Sequence, residues 1–586
     1  MALAACPPVC IRITRETPLA DEPPVSPKTN TKLSNEQANP VNTPSPSTIW
    51  FPTPAGPPLS AGPVSVENGH LAVNGQRVTF FAVNIDFSAI LSLLNATKVS
   101  GATGASAVVY KLDSKQEAVW SRQLDNLVTP GIRAVRIHGL DNQGEPNLFA
   151  NPGPPTTTRQ FDPAALSALD WFLAALEQRN LRYVLDLHYT RQLVPADAPP
   201  WACPLFAECS TQAYLNAPVG LMNPWMFFDD GLMQLTREYC DNLLGHVNPF
   251  TGTTIGAGPG LMAVVLENEQ SLSKVAPWSF NAHPQLNAAF NADFAHWCAA
   301  QNITVPKAGS IQHSQYAAWK ETQVFAAYAS HVRTLTPALV IAGNYFGNGP
   351  YSMLVSLAAV GDAIDSHFYS YYSASDPGNG FLCGQTASTS PAPASPNATR
   401  SRFAAVLAGC SLTGPDGHAL PQFVTEWGPV CQYRPNTQDP PTERSQVLAA
   451  AVSAAIAQDV DFLALYSWAH SPVFSEGSPF WRPDVYDFRV DPVITAGLPA
   501  QVARFHDISL RPGSTNSSQP NASVALAPTN GVYGTMTKSP SGQTVYAQFG
   551  PYTDPALYAV SANTKVTMSA TSTATIGTNQ NAQVPA

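Results

Sequence analysis

The stretch AVVLENEQSL, residues 263–272, begins as an apolar run and ends in polar residues that include two glutamates. A short apolar run of this kind is typical of a strand buried on both faces, as in a parallel sheet covered by helices. Because only 12% of the chain is charged, carboxylates at the end of such a strand stand out. The stretch FVTEWGP, residues 423–429, repeats the arrangement far downstream with Glu426. The two stretches indicate parallel strands whose carboxyl ends carry acidic side chains.

Predicted strands alternate with helical patterns along the chain. The clearest helical pattern is FDPAALSALDWFLAALEQRN, in which Asp162 is the predicted N-cap and Pro163 the first helical residue. Eight strands joined by helical crossovers predict an α/β fold, a TIM (β/α)₈ barrel. A doubly wound open sheet is disfavoured because neither Gly-x-Gly-x-x-Gly nor Gly-x-x-x-x-Gly-Lys follows a strand. The predicted strands cover residues 78–84, 131–140, 181–189, 262–268, 339–344, 363–369, 422–426 and 462–468.

The composition divides the chain into three parts. Residues 1–62 are rich in Pro, Ser and Thr and are predicted to form a disordered tether. Residues 63–501 hold the barrel, which two Asn-Gly turn signals precede as a predicted hairpin. Residues 502–586 contain short alternating runs that predict a small C-terminal all-β, sandwich-like domain.

The start MALAAC resembles a bacterial lipobox. This interpretation implies a lipid anchor at Cys6 and a secreted, cell-surface or periplasmic protein; a cytosolic start with the same letters is the alternative. Eight further cysteines would then fit disulfides in an oxidising compartment, with Cys203–Cys209 as the most local pair, and reduced core cysteines are again the alternative. No Cys-x-x-Cys pair of the zinc type is present.

Charge and hydropathy argue against nucleic-acid binding and against a membrane-spanning helix. The chain has 30 Lys and Arg against 40 Asp and Glu, a formal charge of −10, and no basic run that could follow a phosphate backbone. A nucleic-acid partner is therefore not expected. No segment reaches the roughly 18 uninterrupted apolar residues that a membrane span needs.

Polar side chains gather at the carboxyl ends of the predicted strands, where the chemistry of such barrels takes place. Period-two alternation puts the members of three pairs on one strand face each, whereas Asn268 and Glu269 are neighbours, so that strand must lose its regularity there. The strand ends carry Arg136 and His138, Asp186 and His188, Asn268 and Glu269, Asn344, His367 and Tyr369, Glu426, and Tyr466 and Trp468.

This ordered set resembles the active site of the family 5 glycoside hydrolases, retaining barrel glycosidases with glutamates at the ends of strands four and seven. The resemblance covers about residues 64–502. It implies that Glu269 is the acid/base and Glu426 the nucleophile. It further implies substrate-binding or orienting roles for a second group of residues: Arg136, His188, Asn268, His367, Tyr369 and Trp468.

Elementary chemistry agrees with these roles. Glycosidic cleavage needs one carboxyl to protonate the leaving oxygen and one carboxylate to meet the oxocarbenium-like centre. A guanidinium beside Glu426 would keep it ionised, and that negative charge favours the protonated form of Glu269. Glu267 is a competing carboxylate, set aside because it does not follow the Asn, and is expected to be an inward partner of Arg136 or Asp186.

Other interpretations remain open. A metal-dependent barrel hydrolase of the amidohydrolase type would use Arg-x-His and Asp-x-His, but the His-x-His of its first strand is missing. A catalytically silent carbohydrate-binding barrel and an exo-acting β-glycosidase are further alternatives. The aromatic insertion around Trp201, Phe206 and Trp225 is either a hydrophobic lid or a set of sugar-stacking platforms. We expect a monomer that needs no metal or organic cofactor and acts on a β-linked poly- or oligosaccharide, β-glucan or mannan first.

Overall fold

The computed structural model describes residues 62–100, 106–142, 146–149, 157–211, 224–274, 277–306, 311–346, 351–369, 414, 418–428, 448–449, 451–456, 458–469 and 492–511, and seven strands between Ser523 and Gln583. Residues 1–61 of the predicted tether, which include Cys6, and the long segment at residues 370–401 lie outside the described residues.

The described strands fall into a central sheet and smaller peripheral sheets. Their bounds are β1 (Val64–Glu67), β2 (His70–Val73), β3 (Gln76–Arg77), β4 (Phe80–Asp86), β5 (Leu94–Ser100), β6 (Ser106–Leu112), β7 (Ala134–His138), β8 (Arg182–His188), β9 (Leu261–Glu267), β10 (Leu339–Ile341), β11 (Asn344–Phe346), β12 (Ile364–Tyr369), β13 (Gln422–Gly428), β14 (Phe462–Ala469), β15 (Ser523–Thr529), β16 (Val532–Lys538), β17 (Thr544–Phe549), β18 (Ala556–Val560), β19 (Lys565–Ser569), β20 (Ser572–Ile576) and β21 (Ala582–Gln583).

Helices follow most of the central strands. The α-helices are α1 (Phe87–Ile90), α2 (Ser114–Val128), α3 (Pro163–Glu177), α4 (Phe206–Cys209), α5 (Asp230–Leu244), α6 (Pro284–Ala300), α7 (Ile311–Val332), α8 (Tyr351–Val360) and α9 (Pro492–His506). Short 3₁₀ turns occupy Leu91–Leu93, Pro195–Asp197, Pro224–Phe227, Ile255–Ala257, Leu272–Lys274, Pro277–Ala282 and Ile508–Leu510.

The central sheet is a parallel barrel. Its strand order is β10-β9-β8-β7-β4-β14-β13-β12-β11, and every neighbouring pair is parallel. β10 pairs with β9 and β11 pairs with β12, and only residues 342–343 separate β10 from β11. The two short strands therefore act as one fifth strand that brings the ends of the sheet together. The predicted (β/α)₈ barrel is confirmed, with all eight predicted strands in place.

Side chains alternate between two cores. Inward-facing residues such as Phe80, Val184 and Phe423 fill the lower barrel. Their neighbours Phe81 and Leu185 face the helices and belong to the larger outer core. This arrangement follows from the period of two along a strand, which sends successive side chains to opposite faces. The lower interior is apolar and packed, so the polar side chains of the same strands are left at the carboxyl-end rim.

Helix α3 begins where the sequence predicts. Asp162 caps α3 by accepting hydrogen bonds from the backbone N–H groups of Ala164 and Ala165, and Pro163 is the first helical residue. The last barrel helix, α9, buries Val502 and Phe505 in the outer core. The boundary drawn from composition at 501/502 therefore lies inside α9.

A hairpin lies against the barrel at the start of the described chain. β1, β2 and β3 pair antiparallel, and the turns between them carry positive φ at Asn68-Gly69 and Asn74-Gly75. Two successive positive φ values are what a type I′ hairpin turn requires, which explains the two Asn-Gly pairs. The hairpin β5–β6 was not predicted.

The C-terminal strands form antiparallel sheets, one of four strands (β15–β18) and one of three (β19–β21). This matches the predicted all-β domain. No helix in the described part of the chain is long and apolar enough to cross a membrane.

The expected Cys203–Cys209 disulfide is wrong, because neither thiol is oxidised. The Cys203 thiol instead hydrogen-bonds the Asp229 carboxylate, and burial raises its pKa to about 12. Asp229 also accepts from the Leu205 backbone and caps α5, so the loop is organised around a carboxylate. Cys240 and Cys298 are likewise not disulfide-bonded.

Aromatic residues of the insertion before α5 pack into the protein. Trp225 is buried and its indole N–H donates to Glu208 at 3.0 Å. Trp201 donates to the Gly231 carbonyl at 3.1 Å, and it and Phe206 pack against the outer core. These three side chains are packing elements, which favours the lid interpretation over sugar platforms.

Candidate active site

Arg136 is the centre of the polar rim. Its side chain is fully buried and its guanidinium donates to Glu426 Oε1 at 2.6 Å, Asn84 Oδ1 at 2.8 Å, Asn268 Oδ1 at 2.5 Å and Asp186 Oδ1 at 3.0 Å. Burial alone would lower the pKa of Arg136, but the charges of Asp186 and Glu426 outweigh it and raise the pKa. One planar cation thus fixes side chains from several strands.

The two predicted glutamates face each other across His367. Nδ1 of His367 lies 2.6 Å from Glu269 Oε1 and 3.5 Å from Glu426 Oε2. One oxygen of each carboxylate and the imidazole nitrogen all lie within 4.8 Å of one another. The Glu426 side chain is 5% exposed and that of Glu269 is 33% exposed. The site therefore holds one enclosed carboxylate and one that reaches solvent.

The expected loss of strand regularity at Asn268 and Glu269 is confirmed. β9 ends at Glu267, and Glu269 has a φ of 51°, in the left-handed region that non-glycine residues rarely occupy. The Glu269 backbone N–H donates to Asn344 Oδ1 at 2.9 Å, which holds this conformation. Asn268 and Glu269 both reach the site because the chain turns between them.

His138 and His188 are both held by aspartates. His138 Nδ1 lies 2.6 Å from Asp186 Oδ2. Burial lowers the pKa of His138, as does the Arg136 charge, but the hydrogen bond to Asp186 together with the charges of Asp186 and Glu426 outweighs them, and the pKa is raised. His188 Nδ1 lies 3.1 Å from Asp141 Oδ2, and burial lowers its pKa. Neither hydrogen bond involves Glu269 or Glu426.

Trp468 and Tyr369 lie on the expected strands. Trp468 is on β14 and 2% exposed, so its indole is part of the barrel's packing at the rim. The backbone of Tyr369 pairs with Gly428, beside the Glu426 strand, and its side chain lies outside the described residues.

Glu267 does not take the place expected for it. The Arg136 guanidinium bonds four other side chains, with Asp186 among them, so the expected pairing is wrong. Glu267 is buried beside His188 in the β8–β9 register. Burial, with the Asp141 charge as a second cause, raises the pKa of Glu267 well above its ordinary value.

The glutamate pair and His367 also offer three possible metal ligands. Arg136 already places a positive charge 2.6 Å from Glu426 Oε1, which opposes a cation at the same carboxylate. The Arg-x-His and Asp-x-His histidines of the amidohydrolase interpretation direct their Nδ1 atoms to Asp186 and Asp141 instead of to one shared centre. The donor set suits proton transfer better than metal binding.

Sequence reasoning missed three buried polar residues that support the site: Asn84, Asp365 and Thr425. Asn84 donates to the backbone carbonyl of Thr425 at 2.7 Å and accepts from Arg136. Asp365 could have been noticed, because it lies two residues before His367 and so on the same strand face. Thr425 gave no such signal, since it adjoins Glu426.

Similarity to known proteins is structural. No family model matches the chain, and no curated protein matches it in sequence. Solved structures with a similar fold include an endo-β-1,4-mannanase from Thermotoga petrophila (13% identity, TM-score 0.42, covering 80% of this chain and 84% of that one). They also include a glycoside hydrolase family 5 mannosidase from Rhizomucor miehei (12% identity, TM-score 0.47, 76% and 99% covered) and a GH5_18 protein from Bifidobacterium longum subsp. infantis (11% identity, TM-score 0.42, 73% and 80% covered).

Proposed function

We propose that this protein is a retaining glycoside hydrolase that cleaves β-glycosidic bonds in a poly- or oligosaccharide by double displacement. The observation that carries the proposal is the separation of the carboxylates, since one oxygen of Glu269 lies within 4.8 Å of one oxygen of Glu426. Retaining enzymes place the two carboxyl groups about 5–5.5 Å apart, whereas inverting enzymes leave about 6.5–9.5 Å for a water. The short separation favours retention.

The surroundings distinguish the two carboxylates. Glu426 is enclosed and bonded to a guanidinium, which stabilises its anion and suits a nucleophile. Glu269 is more exposed and contacts an imidazole, so it can exchange a proton with a leaving group or a water. Asn268 Oδ1 accepts a hydrogen bond from Arg136. The amide N–H groups of Asn268 can therefore donate to a sugar hydroxyl.

The reaction then takes two steps. The Glu426 carboxylate attacks the anomeric carbon while Glu269 gives its proton to the glycosidic oxygen, and the alcohol leaves. A water then attacks the glycosyl ester, its proton passes to Glu269, and Glu426 is released as a carboxylate. Two inversions give retention of configuration.

A product-resolved screen tests this function. Purified β-glucans, mannans and aryl β-glycosides are incubated with the protein, and proton NMR records the first anomer formed. We expect the β-anomer and a loss of about 10²- to 10⁴-fold in kcat for Glu269→Gln. Azide should restore turnover by forming an α-glycosyl azide in Glu426→Ala and a β-glycosyl azide in Glu269→Ala, because it replaces a different carboxylate in each.

Glu267→Gln is the matched control, since it removes a neighbouring carboxylate outside the site and should retain turnover. Full activity in both Glu269→Ala and Glu426→Ala would refute the proposal. Binding of oligosaccharide without turnover in the wild type would support the silent barrel instead. Export and lipid attachment at Cys6 remain predictions, as does a β-linked glucan or mannan as substrate.

A further inference from the structure

A closed ring of hydrogen bonds joins both ends of Glu269 to one buried aspartate. On the side-chain route, Glu269 Oε1 lies 2.6 Å from His367 Nδ1, and His367 Nε2 lies 3.0 Å from Thr425 Oγ1. The Thr425 hydroxyl donates to Asp365 Oδ2 at 2.5 Å. On the backbone route, Asn344 donates to Asp365 Oδ2 at 2.5 Å and accepts from the Glu269 N–H at 2.9 Å.

Asp365 acts in this ring as an acceptor. Its Oδ1 accepts from the backbone N–H groups of Ser366 at 2.7 Å and Thr425 at 2.9 Å, and its Oδ2 accepts from the Asn344 amide and the Thr425 hydroxyl. Burial raises the pKa of Asp365, although the nearby His367 opposes this. Because both oxygens of Asp365 accept hydrogen bonds from these donors, the carboxylate is the form that the ring stabilises.

The direction of the Thr425 hydroxyl decides which nitrogen of His367 carries hydrogen. The Thr425 hydrogen is committed to Asp365, so its oxygen can only accept, and His367 Nε2 must donate. A neutral imidazole then has a bare Nδ1. That nitrogen lies 2.6 Å from Glu269 Oε1, a distance that requires a hydrogen between the two atoms.

We propose that Asp365 and Thr425 are positioning residues that keep a hydrogen on His367 Nε2, so that Glu269 and His367 share one further proton, the proton that is given to the leaving group. This inference rests on the proposed glycosidase function for its catalytic part. When the shared proton leaves for the glycosidic oxygen, His367 stays neutral with its Nδ1 lone pair against the Glu269 carboxylate. That repulsion favours uptake of a proton from the attacking water in the second step.

The charged groups around His367 are consistent with a shared proton. Those facing it are Glu269, Glu426 on β13 and Asp365 on its own strand, with Arg136 on β7 acting on Asp365. Burial lowers the pKa of His367, but the three carboxylates outweigh burial and the pKa is raised. A proton is therefore readily held between His367 and Glu269.

Thr425→Val and Thr425→Ser form a matched pair for testing the ring. Valine has nearly the shape of threonine but lacks the hydroxyl, so His367 Nε2 loses its acceptor. A neutral imidazole can then carry its hydrogen on Nδ1 and donate it to an ionised Glu269. The alkaline limb of kcat/KM, which reports the acid in the free enzyme, should move to lower pH by about one unit. Serine keeps the hydroxyl and should keep the wild-type limb. An alkaline limb that is the same in both variants would overturn the proposal.

Nitrogen-15 NMR of histidine-labelled wild-type protein tests the same arrangement without turnover. The chain has 12 histidines, and His367→Gln identifies the signals of this one. We expect hydrogen on Nε2 in the resting protein; a neutral His367 with hydrogen only on Nδ1 would refute the ring as described. This measurement decides the matter even if Thr425→Val does not fold. A protein without glycosidase activity but with hydrogen on Nε2 would refute the proposed function alone.

Discussion

Glu321 on α7 is hydrogen-bonded to the segment that follows Glu269, at Ser271 and Ser273. Its carboxylate is fully buried, and Oε2 accepts from the Ser271 hydroxyl at 3.1 Å, the Ser273 hydroxyl at 2.7 Å and the Ser273 backbone N–H at 3.2 Å. Burial raises the pKa of Glu321 from 4.5 to about 7, although the serine hydrogen bonds oppose it.

This raised pKa makes the stability of the barrel depend on pH. Between pH 4.5 and about 7 the folded protein holds a proton on Glu321 that the unfolded chain has lost. The contribution to stability is therefore fully present below pH 4.5 and is lost as pH rises through the folded pKa. The gap between the two pKa values corresponds to about 3 kcal/mol.

Glu321→Gln replaces the carboxyl with a neutral group of the same shape, so it removes this group's contribution to the pH dependence, whereas other titrating groups such as His506 act equally in both proteins. Urea unfolding followed by circular dichroism at pH 4.5 and pH 8 gives the free energy of unfolding of each protein. We expect the wild type to lose about 3 kcal/mol more than the variant on going to pH 8. Glu117→Gln, at a partly exposed position in the first turn of α2, controls for general charge effects. Equal losses in wild type and Glu321→Gln would show that the buried carboxyl does not titrate in this range.

Three further changes probe the core and the site. Arg136→Met should lower the free energy of unfolding by about 3–5 kcal/mol in urea titrations, because Asp186 and Glu426 lose their buried counter-charge, and an unchanged value would contradict the arrangement. Burial lowers the pKa of His506 from 6.5 to about 3, so the contribution of this histidine to folding stability is present above pH 6.5 and is lost as pH falls. Between pH 7 and pH 5, His506→Gln should therefore lose about 2 kcal/mol less stability than the wild type, as measured by thermal unfolding. Asp162→Ala should cost about 1 kcal/mol through loss of the α3 N-cap, with no change in kcat as the check that the effect is local.

The barrel and most of its rim could be predicted because both follow from local rules. Apolar runs of strand length and a helix cap at Asp162 fixed the alternation of elements, and period two put Arg136 and His138, or Asp186 and His188, on common faces. The hairpin β5–β6 could not be found in this way, because its sequence lacks the Asn-Gly signal that marked β1–β3. Composition also misplaced the end of the barrel, since α9 continues past residue 501.

The short spacing between Cys203 and Cys209 led to a wrong prediction of a disulfide bond. Cys203 and Cys209 are near each other in sequence, but spacing says nothing about which side chain a thiol faces. Asp229 accepts hydrogen bonds from the backbone N–H groups at the start of α5, and its carboxylate also bonds the Leu205 backbone N–H and the Cys203 thiol. The requirement of a helix start for an acceptor therefore organises this loop.

Both strands that carry a glutamate lose their regularity next to it; alternation predicted this for Asn268 and Glu269, but it was not predicted for Thr425 and Glu426. Asn268 precedes Glu269 and Thr425 precedes Glu426, and a regular strand would turn one member of each pair away from the site. The chain avoids this through the left-handed Glu269 and through a register shift in β13 between Val424 and Trp427. A left-handed non-glycine residue costs about 1–3 kcal/mol and persists only where its surroundings enforce it. Here Asp365 supplies that enforcement, because it holds Asn344 against the Glu269 backbone and Thr425 against His367, so the left-handed backbone of Glu269 and the hydrogen bonds of its side chain depend on one buried carboxylate.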